Sequence, residues 1–516
     1  MTRAVAIRAA ALAAAALVLY GTRLEHTPAY LHDAEILFGL QAHAIATTAH
    51  DLSGRLMPLY FQMSPIGENV WFHPVLVYVT ALFLKIVAFG EWAVRLPSAF
   101  VGALDVVLMY AVARRLFGRE RDAIVAAILL ALTPAHFIHS RIAMDYLYPV
   151  PFVLGWLLAL AAFLDRQRLW MLFVATSLLG IGVYSYIASV AMMPVYFVFT
   201  IAILWLTGHA SRRSFLAAAA GFLWPLVVLP LWLWYHPSVV AETFGRYRAG
   251  LANPSSPLTM LASRISLYWS FFDPAYLFVS GGYANVVNST RHAGVFALPL
   301  IGLVPFGVFR AIRTGSALER LVLAGFVSAP LAACLAAPEP YAIDRELAVV
   351  PFGILLAVCG VRQLESVQGS AWRALAAIAV ALVPLHFAFF YWDYFTDYRR
   401  VSAVWFELNH RAALEEIVAR DSRERVPAVY LPTDGDPYMD AYWRFTLAKL
   451  GRADLRKRTV FYTAKDLDVS SVSAGSLVLM RRDATRVESL RQAGHFRMIS
   501  VIPEVADPPE FFILQP

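Results

Sequence analysis

The feature that most constrains this chain is a series of apolar runs, each close to the length that crosses a lipid bilayer. A spanning helix needs about 20 predominantly apolar residues, and such runs recur until about residue 391. A water-soluble globule is excluded because only 15% of the chain is charged, against about 25% in soluble proteins. We predict eleven spans, at residues 4–20, 96–113, 123–137, 148–164, 169–186, 191–206, 215–234, 294–309, 321–337, 347–361 and 375–391.

The first run is typical of either a signal peptide or a membrane anchor, since Arg3 and Arg8 precede an alanine-rich stretch. No small-x-small cleavage site follows it, so we expect an uncleaved anchor. Cys334 and Cys359 both lie inside apolar runs, which predicts neither a disulfide nor a thiolate metal site.

The arginines predict the topology. Basic loops face the cytoplasm in membrane proteins, and this chain has several short ones: Arg114/Arg115/Arg119/Arg121, Arg166/Arg168, Arg212/Arg213, Arg310/Arg313/Arg320 and Arg362/Arg373. These loops lie on the same side of the membrane as Arg3 and Arg8 only if the ambiguous run 71–89 does not cross the bilayer. We therefore predict that this run is a juxtamembrane or re-entrant helix on the outer face. Much of the net charge of +7 then comes from the arginines that orient the protein in the membrane, and no nucleic-acid partner is expected.

The resulting fold class is a polytopic α-helical membrane protein with a small C-terminal α/β domain. We expect the transmembrane domain at residues 1–392, with outer loops at 21–95 and 235–293, and an extracytoplasmic domain at 393–516. The amino terminus would be cytoplasmic, in a plasma or inner membrane. The tail predicts strands at 426–431, 459–463, 476–480, 498–502 and 510–514, and helices at 438–450 and 484–493.

Charged residues at membrane depth are costly, so those near the outer ends of spans are functional candidates. Asp33 and Glu35 open a helical pattern in the first outer loop, where capping of the helix is the alternative to catalysis. Arg95 suits a lipid phosphate, with interfacial snorkelling as its alternative. The remaining candidates, which include a potential Arg141–Asp145 salt bridge, are His73, Lys85, Arg141, Asp145, Arg291, His292 and Arg345.

An ordered series of short segments resembles a known family. The segments are 32–35 (HDAE), 72–74 (FHP), 95–98 (RLPS), 113–118 (ARRLFG) and 140–145 (SRIAMD). Together they resemble the GT-C fold glycosyltransferases that use polyprenyl-phosphate sugars. More narrowly, they are similar to the protein O-mannosyltransferase and lipid A aminoarabinose transferase superfamily, which is glycosyltransferase family 39-like.

The resemblance implies roles for the candidates. Relatives have an adjacent Asp-Glu pair with a catalytic aspartate, whereas Ala34 separates the two acids here, so either Asp33 or Glu35 is the expected base. Arg95 corresponds to an arginine near the donor phosphate, His73 to a His-Pro position, and Asp145 to an acidic residue near the active site. We expect the other candidates to bind donor phosphate or substrate.

The predicted function is transfer of a sugar from a polyprenyl-phosphate donor to an acceptor lipid, glycan or protein at the outer face. No cofactor is required, although a divalent cation bridging carboxylate and phosphate is compatible with this chemistry.

Two other functions remain open. A transporter or lipid flippase tends to show repeated halves and midplane charges, but the halves of this chain do not resemble each other. A non-catalytic GT-C-like protein would bind donor without turnover.

Overall fold

The computed structural model describes residues 3–64, 69–249, 257–282, 286–336, 340–463, 467, 472–482, 494, 496–506 and 508–516. The helices of these residues are α1 (Arg3–Gly21), α2 (Asp33–Thr48), α3 (Pro74–Leu84), α4 (Glu91–Phe117), α5 (Glu120–Ala131), α6 (Pro134–His139), α7 (Val150–Arg166), α8 (Leu169–Gly182), α9 (Ser189–Leu206), α10 (Arg212–Leu223), α11 (Val228–Tyr235), α12 (Ser238–Ala249), α13 (Pro257–Ser270), α14 (Val304–Arg313), α15 (Ala317–Ser328), α16 (Leu331–Ala336), α17 (Val349–Ser366), α18 (Ser370–Phe395), α19 (Asp397–Ser402), α20 (His410–Arg423) and α21 (Met439–Leu450). The strands are β1 (Phe61–Met63), β2 (Val70–Phe72), β3 (Val429–Pro432), β4 (Thr459–Tyr462), β5 (Leu477–Arg481), β6 (Arg497–Ile502) and β7 (Phe511–Gln515).

Most of the chain is a bundle of apolar helices, as the sequence predicts. Within the described residues, eight helical segments are long and apolar enough to cross a membrane: Arg3–Gly21, Glu91–Phe117, Asp145–Arg166, Ser189–Leu206, Arg212–Tyr235, Ala317–Leu335, Val349–Ser366 and Ser370–Phe395. The other three predicted spans coincide with α5, α8 and α14, which have 12, 14 and 10 residues. Leu132 and Thr133 separate α5 from α6, which begins at Pro134. The total of eleven spans therefore stays a prediction.

Helix α3 lies within the run that we predict not to cross. It has 11 residues, or about 16 Å at about 1.5 Å per residue, roughly half of the ~30 Å hydrocarbon core. Proline starts the helix at its first position, where the missing N–H is unneeded. An antiparallel pair of strands, β1 and β2, precedes it, and the sequence did not predict this pair.

One end of the bundle, which we call the arginine end, gathers basic loops that are distant in sequence. Arg8 and Arg114 both pair with Glu120, at 2.8 and 3.2 Å, and Arg115 pairs with Asp165 at 3.0 Å. These contacts join the amino terminus to the loops after α4 and α7. The structure therefore places these loops and the amino terminus at the same end of the bundle, as the arginine positions predict.

The opposite end, which we call the domain end, carries the C-terminal α/β domain. Its sheet has the order β4-β3-β5-β7-β6, with β3 parallel to β4 and β5 and β7 antiparallel to its neighbours. All five predicted strands and the helix at 438–450 are present, whereas α20 was not predicted. The predicted helix at 484–493 lies outside the described residues. The predicted domain boundary falls in the last turn of α18 and stays a prediction.

The C-terminal domain and the bundle share a hydrophobic core. Leu31, Ile36 and Leu40, from the start of the chain, are buried in one cluster with Trp443 and Phe445 of α21. Helix α2 therefore packs directly against the C-terminal domain, so the first loop is held between the two parts of the protein.

The orientation of the bundle can be tested with cysteine reporters, because both native thiols, Cys334 and Cys359, are buried. In a background with alanine at both positions, we expect Asp434→Cys to react with a membrane-impermeant thiol reagent in intact cells. Arg119→Cys and Arg313→Cys should react only after permeabilisation, because basic loops face the cytoplasm. Labelling of Arg119→Cys from outside would contradict the predicted topology.

Candidate active site

Glu35 lies at the centre of the domain end. It is fully buried in the third position of α2, and four donors reach its carboxylate. Arg95 donates from Nε at 2.8 Å and Nη2 at 2.7 Å, and the backbone N–H groups of Ala143 and His32 donate at 2.8 and 3.0 Å. Such a carboxylate has little remaining capacity for a substrate proton. The contacts therefore favour the capping alternative for Glu35 over the role of base.

Arg95 is buried and bonds only to the protein. Its five N–H groups donate to Glu35 twice and to the carbonyls of Leu24, Pro28 and Tyr30, at 2.9, 3.0 and 2.5 Å. A guanidinium has five N–H donors, so none remains for a lipid phosphate in this structure. The expected contact of Arg95 with a lipid phosphate stays a prediction, and its burial argues against interfacial snorkelling.

Arg141, like Arg95, donates to backbone carbonyls of the first loop. Its terminal nitrogens donate to the carbonyls of Tyr20, Thr22, Arg23 and Thr27, at 2.6 to 3.2 Å. Within the described residues it forms no ion pair with Asp145, so the salt bridge that was the alternative to a functional role for these residues is absent there. Together the two arginines bind seven carbonyls of residues 20–30 and hold this loop in one conformation.

Asp33 faces the C-terminal domain instead of the bundle. Its carboxylate touches the His32 ring and accepts from the Ala34 N–H at 2.6 Å. Burial favours the neutral acid, but His32, the Tyr438 hydroxyl and the Ala34 N–H hold the pKa of Asp33 below its ordinary value. Burial likewise opposes the charged form of His32, yet Asp33 raises its pKa. Each of the two side chains therefore favours the charged form of the other.

Side chains of the C-terminal domain surround this pair, and we call the group the interface cluster; its members are His32, Asp33, Glu407, His410, Asp436, Tyr438 and Tyr442. Tyr442 donates to the Leu31 carbonyl at 2.8 Å, and its ring stacks on His410 at 4.0 Å. His410 in turn contacts Asp436. The cluster ties the loop that carries Asp33 to α20 and α21.

Glu407 is a member that sequence reasoning missed. Its backbone has φ 61° and ψ −152°, a region that is essentially limited to glycine and costs about 1–3 kcal/mol in other residues. Burial, and then the charge of Asp33, raises the pKa of its carboxyl. The sequence around residue 407 contains no glycine or turn motif that would predict this conformation.

Asp145 lies near the start of α7 and is 5% exposed. Its short 3-10 helix, Asp145–Leu147, contacts a second one, Ile343–Arg345. This contact brings Asp145 close to Asp344. The predicted residue Arg345 belongs to the same short helix as Asp344, and its Nε lies 3.8 Å from the Asp344 carboxylate. In the part of the chain that the structure describes, no basic side chain forms an ion pair with Asp145.

The other predicted residues are dispersed. His73 is buried at the start of α3, its ring lies 5.2 Å from that of Tyr60, and burial lowers its pKa to about 3. Lys85 is exposed at the far end of α3. Arg291 has a left-handed backbone, with φ 66°. His292 is largely exposed and pairs with Asp393 at 3.0 Å.

One group of described residues could hold a metal ion. The ligand atoms of His292, Asp393 and Asp397 lie within 4.8 Å of one another. His292 is exposed and the two aspartates are partly buried. The group includes neither Asp33 nor Glu35, so it gives no support to a cation between the predicted base and a phosphate.

An apolar groove of about 680 Å³ runs along the bundle between α3, α4, α7 and α8. Tyr148 lines it at the domain end and Arg115 at the arginine end, and its other lining side chains are apolar. On α4 the groove extends from Val101 to Arg115, about 21 Å at about 1.5 Å per residue. Its dimensions suit a long hydrocarbon chain.

Comparison with known proteins identifies the fold. Residues 73–234 match the family model described as dolichyl-phosphate-mannose-protein mannosyltransferase. The crystal structure of ArnT from Cupriavidus metallidurans bound to undecaprenyl phosphate is similar, with a TM-score of 0.61 over 98% of this chain and 97% of that chain, at 14% identity. The chain has the GT-C fold. This finding confirms the resemblance that segments 32–145 indicate.

Two further solved structures are similar to this GT-C chain. The apo state of the same ArnT has a TM-score of 0.56 at 14% identity, over 98% of this chain and 97% of that one. The archaeal oligosaccharyltransferase AglB from Archaeoglobus fulgidus, in complex with an inhibitory peptide and a dolichol-phosphate, has a TM-score of 0.48 at 16% identity, over 84% and 59%. No curated protein sequence matches the chain.

Breaking the Glu35–Arg95 pair should destabilise the protein strongly. We expect Glu35→Gln or Arg95→Met to cost about 3–5 kcal/mol, because either change leaves a buried group without its partner. The measurement is thermal unfolding of the purified protein in detergent. Arg411→Ala is the matched control, since its side chain is 41% exposed and its contacts with Glu91 and Glu415 are long, at 3.8 and 3.6 Å. Such pairs are worth about 0–1 kcal/mol. Equal effects in all three variants would contradict the structural role.

The His32–Asp33 pair should make stability depend on pH. The lowered pKa of Asp33 gives stability that is lost as pH falls below about 4, and the raised pKa of His32 gives stability that is lost as pH rises above about 6.5. We expect the difference in Tm between the wild type and His32→Gln to shrink between pH 5 and pH 8. An unchanged difference would show that the pair contributes nothing.

Proposed function

We propose that this chain is an integral-membrane glycosyltransferase that moves a sugar from a polyprenyl-phosphate donor to an acceptor hydroxyl at the domain end. The observation that carries the proposal is the similarity of fold along nearly the whole chain to ArnT, a protein solved with undecaprenyl phosphate bound. The match of residues 73–234 to a mannosyltransferase family model supports the same reaction class.

In this proposal the apolar groove holds the isoprenoid chain of the donor. A hydrocarbon chain suits the groove because its walls are apolar along the length of α4. The phosphate then lies at the domain end, near Tyr148 and Asp145. Arg291 and Arg345, together with Lys85 and His292, remain proposed donor- or substrate-binding residues at that end. Arg95 and Arg141 act as positioning residues, since their N–H groups bind the first loop.

Asp33 is the proposed general base. The ion pair with His32 keeps its carboxylate ionised, and its side chain is 15% exposed, whereas Glu35 is occupied by four donors. Asp33 accepts the proton of the acceptor hydroxyl as the oxygen bonds to the anomeric carbon. The bond from that carbon to the phosphate oxygen breaks, and the polyprenyl phosphate leaves with the electron pair. A positioned base contributes typically about 10²–10⁴-fold.

The domain end is proposed to face away from the cytoplasm, in a plasma or inner membrane. The basic loops at the opposite end support this orientation through the positive-inside rule. The C-terminal domain would then be extracytoplasmic.

The function is tested by mass spectrometry of glycolipids, envelope polysaccharide and exported proteins from cells with and without this chain. We expect one class of molecule to lose a sugar when the chain is absent, which would identify sugar and acceptor together. Transport of a lipid or solute in proteoliposomes without any sugar transfer would contradict the proposal.

With the reaction identified, Asp33→Asn should lower transfer by about 10²–10⁴-fold at normal expression, because the base is lost. Asp440→Asn is the control: Asp440 is a partly exposed carboxylate of the C-terminal domain that pairs with Arg444, and its replacement should leave transfer near the wild-type level. Full activity of both Asp33→Asn and Glu35→Gln would eliminate the proposed carboxylate base.

A further inference from the structure

Three metal-ligating side chains meet where α18 ends, outside the group around Asp33. They are His292, Asp393 and Asp397, and their ligand atoms lie within 4.8 Å of one another. Asp393 belongs to the last turn of α18, Asp397 is the first residue of α19, and His292 belongs to the segment 286–293. One imidazole with two carboxylates is a donor set that suits a divalent transition metal.

The backbone around the three side chains is fixed without a metal. Thr396, with φ −116° and ψ −87°, separates α18 from α19. Tyr398 of α19 donates from a buried hydroxyl to the Val287 carbonyl at 2.9 Å, and the His292 N–H donates to the Thr290 hydroxyl at 3.3 Å. The segment 286–293 is therefore fastened to α19 independently of the imidazole, so the ligands are already assembled.

The spacing of the three side chains fits a metal ion. Ligand atoms at about 2.0–2.2 Å from zinc lie at most about 4.4 Å apart. Nδ1 of His292 lies 3.0 Å from Oδ1 of Asp393. The side chains of His292 and Asp397 are 62% and 45% exposed, so both are free to rotate by the few tenths of an ångström that close the site.

One carboxylate oxygen of the group has no partner. Oδ1 of Asp393 contacts His292, whereas Oδ2 of Asp393 is buried and accepts no hydrogen bond within the described residues. A buried acceptor is unfavourable when it is left unpaired. Arg400 pairs with Asp397 at 3.1 Å, but in the described part of the chain no lysine or arginine forms an ion pair with Asp393. A divalent cation would satisfy this oxygen.

We propose that His292, Asp393 and Asp397 form a site for a divalent transition metal of the zinc class. The imidazole favours such an ion over Mg²⁺ and Ca²⁺, which prefer oxygen ligands. The metal fastens the segment 286–293 to the junction of α18 and α19. It is separate from the proposed general base and takes no part in bond breaking there.

The same junction also contacts the first loop. Arg399 of α19 donates to the His26 carbonyl at 2.9 Å, and the guanidinium carbon of Arg141 lies 4.9 Å from the ring of Phe395. The junction therefore joins the first loop to the segment 286–293. A metal that binds only the folded arrangement stabilises it.

Metal binding is measured on the full chain, purified in detergent through a tag without histidine and stripped with EDTA. Zn²⁺ is titrated in competition with a fluorescent zinc indicator. We expect about one Zn²⁺ per chain and a Tm that rises when Zn²⁺ is added. His292→Asn, Asp393→Asn and Asp397→Asn should each bind Zn²⁺ more weakly, by about ten-fold or more, and lose the rise in Tm.

The matched controls are His50→Asn and Glu416→Gln. His50 is exposed, and its Nδ1 lies 2.7 Å from the Thr48 carbonyl; Glu416 pairs with Arg420 on α20. Both variants should bind Zn²⁺ as the wild type does. Mg²⁺ at the same concentration should not displace Zn²⁺ from any of them.

Absence of Zn²⁺ binding by the wild type would overturn the proposal, as would equal binding by the wild type and the three ligand variants. A lowered Tm in His292→Asn, with no response of the wild type to Zn²⁺, would indicate a hydrogen-bonded pair only and would also overturn it. Displacement of Zn²⁺ by equimolar Mg²⁺ would overturn the assigned class of metal.

These measurements use no sugar donor, so they are independent of the proposed function. A protein that binds Zn²⁺ at this site without transferring sugar would remove the proposed function alone. Asp393 and Asp397 have no proposed contact with the donor, so loss of Zn²⁺ binding in their variants separates metal binding from the proposed substrate-binding role of His292.

Discussion

The buried ion pair between Glu35 and Arg95 is the interaction on which the domain end depends. A charge pair removed from water is tolerated only when its remaining hydrogen-bonding capacity is satisfied. Here four donors surround the carboxylate, and carbonyls of the first loop accept the other N–H groups of the guanidinium. The pair thus joins α2, α4, the first loop and the segment at Ala143 into one rigid unit.

That unit provides the surface on which the C-terminal domain docks. Leu31, Ile36 and Leu40 share a core with Trp443 and Phe445, so the apolar contact places the domain over the first loop. Polar groups then complete the junction, where His32 and Asp33 meet side chains from α20 and α21. The C-terminal domain therefore packs on the candidate site and contributes neighbours to it, among them His410, Tyr438 and Tyr442.

In the proposed function the apolar groove binds the hydrocarbon chain of the donor, and the polar junction binds its sugar. The groove is apolar because it lies among the apolar helices α3, α4, α7 and α8, at a depth where charged side chains are costly. Charges are permitted at the domain end, where Asp33, Asp145, Arg345 and Glu407 lie. A lipid-linked sugar has the same division, with an apolar chain joined to a charged and hydroxylated head.

Much of this organisation was determined by the sequence. Apolar runs and the positions of the arginines predicted a helical bundle, the non-crossing α3 and the shared side of the basic loops, because hydrophobicity and charge act locally along the chain. Alternating patterns likewise predicted the five strands of the tail. The short α5, α8 and α14 leave the number of spans undecided, since their breaks depend on packing. Only the tertiary structure assigned Arg95 and Arg141 to loop carbonyls, separated Glu35 from Asp33, and brought Glu407 to the first loop. These outcomes depend on which distant groups satisfy a buried charge, and no local pattern encodes that choice.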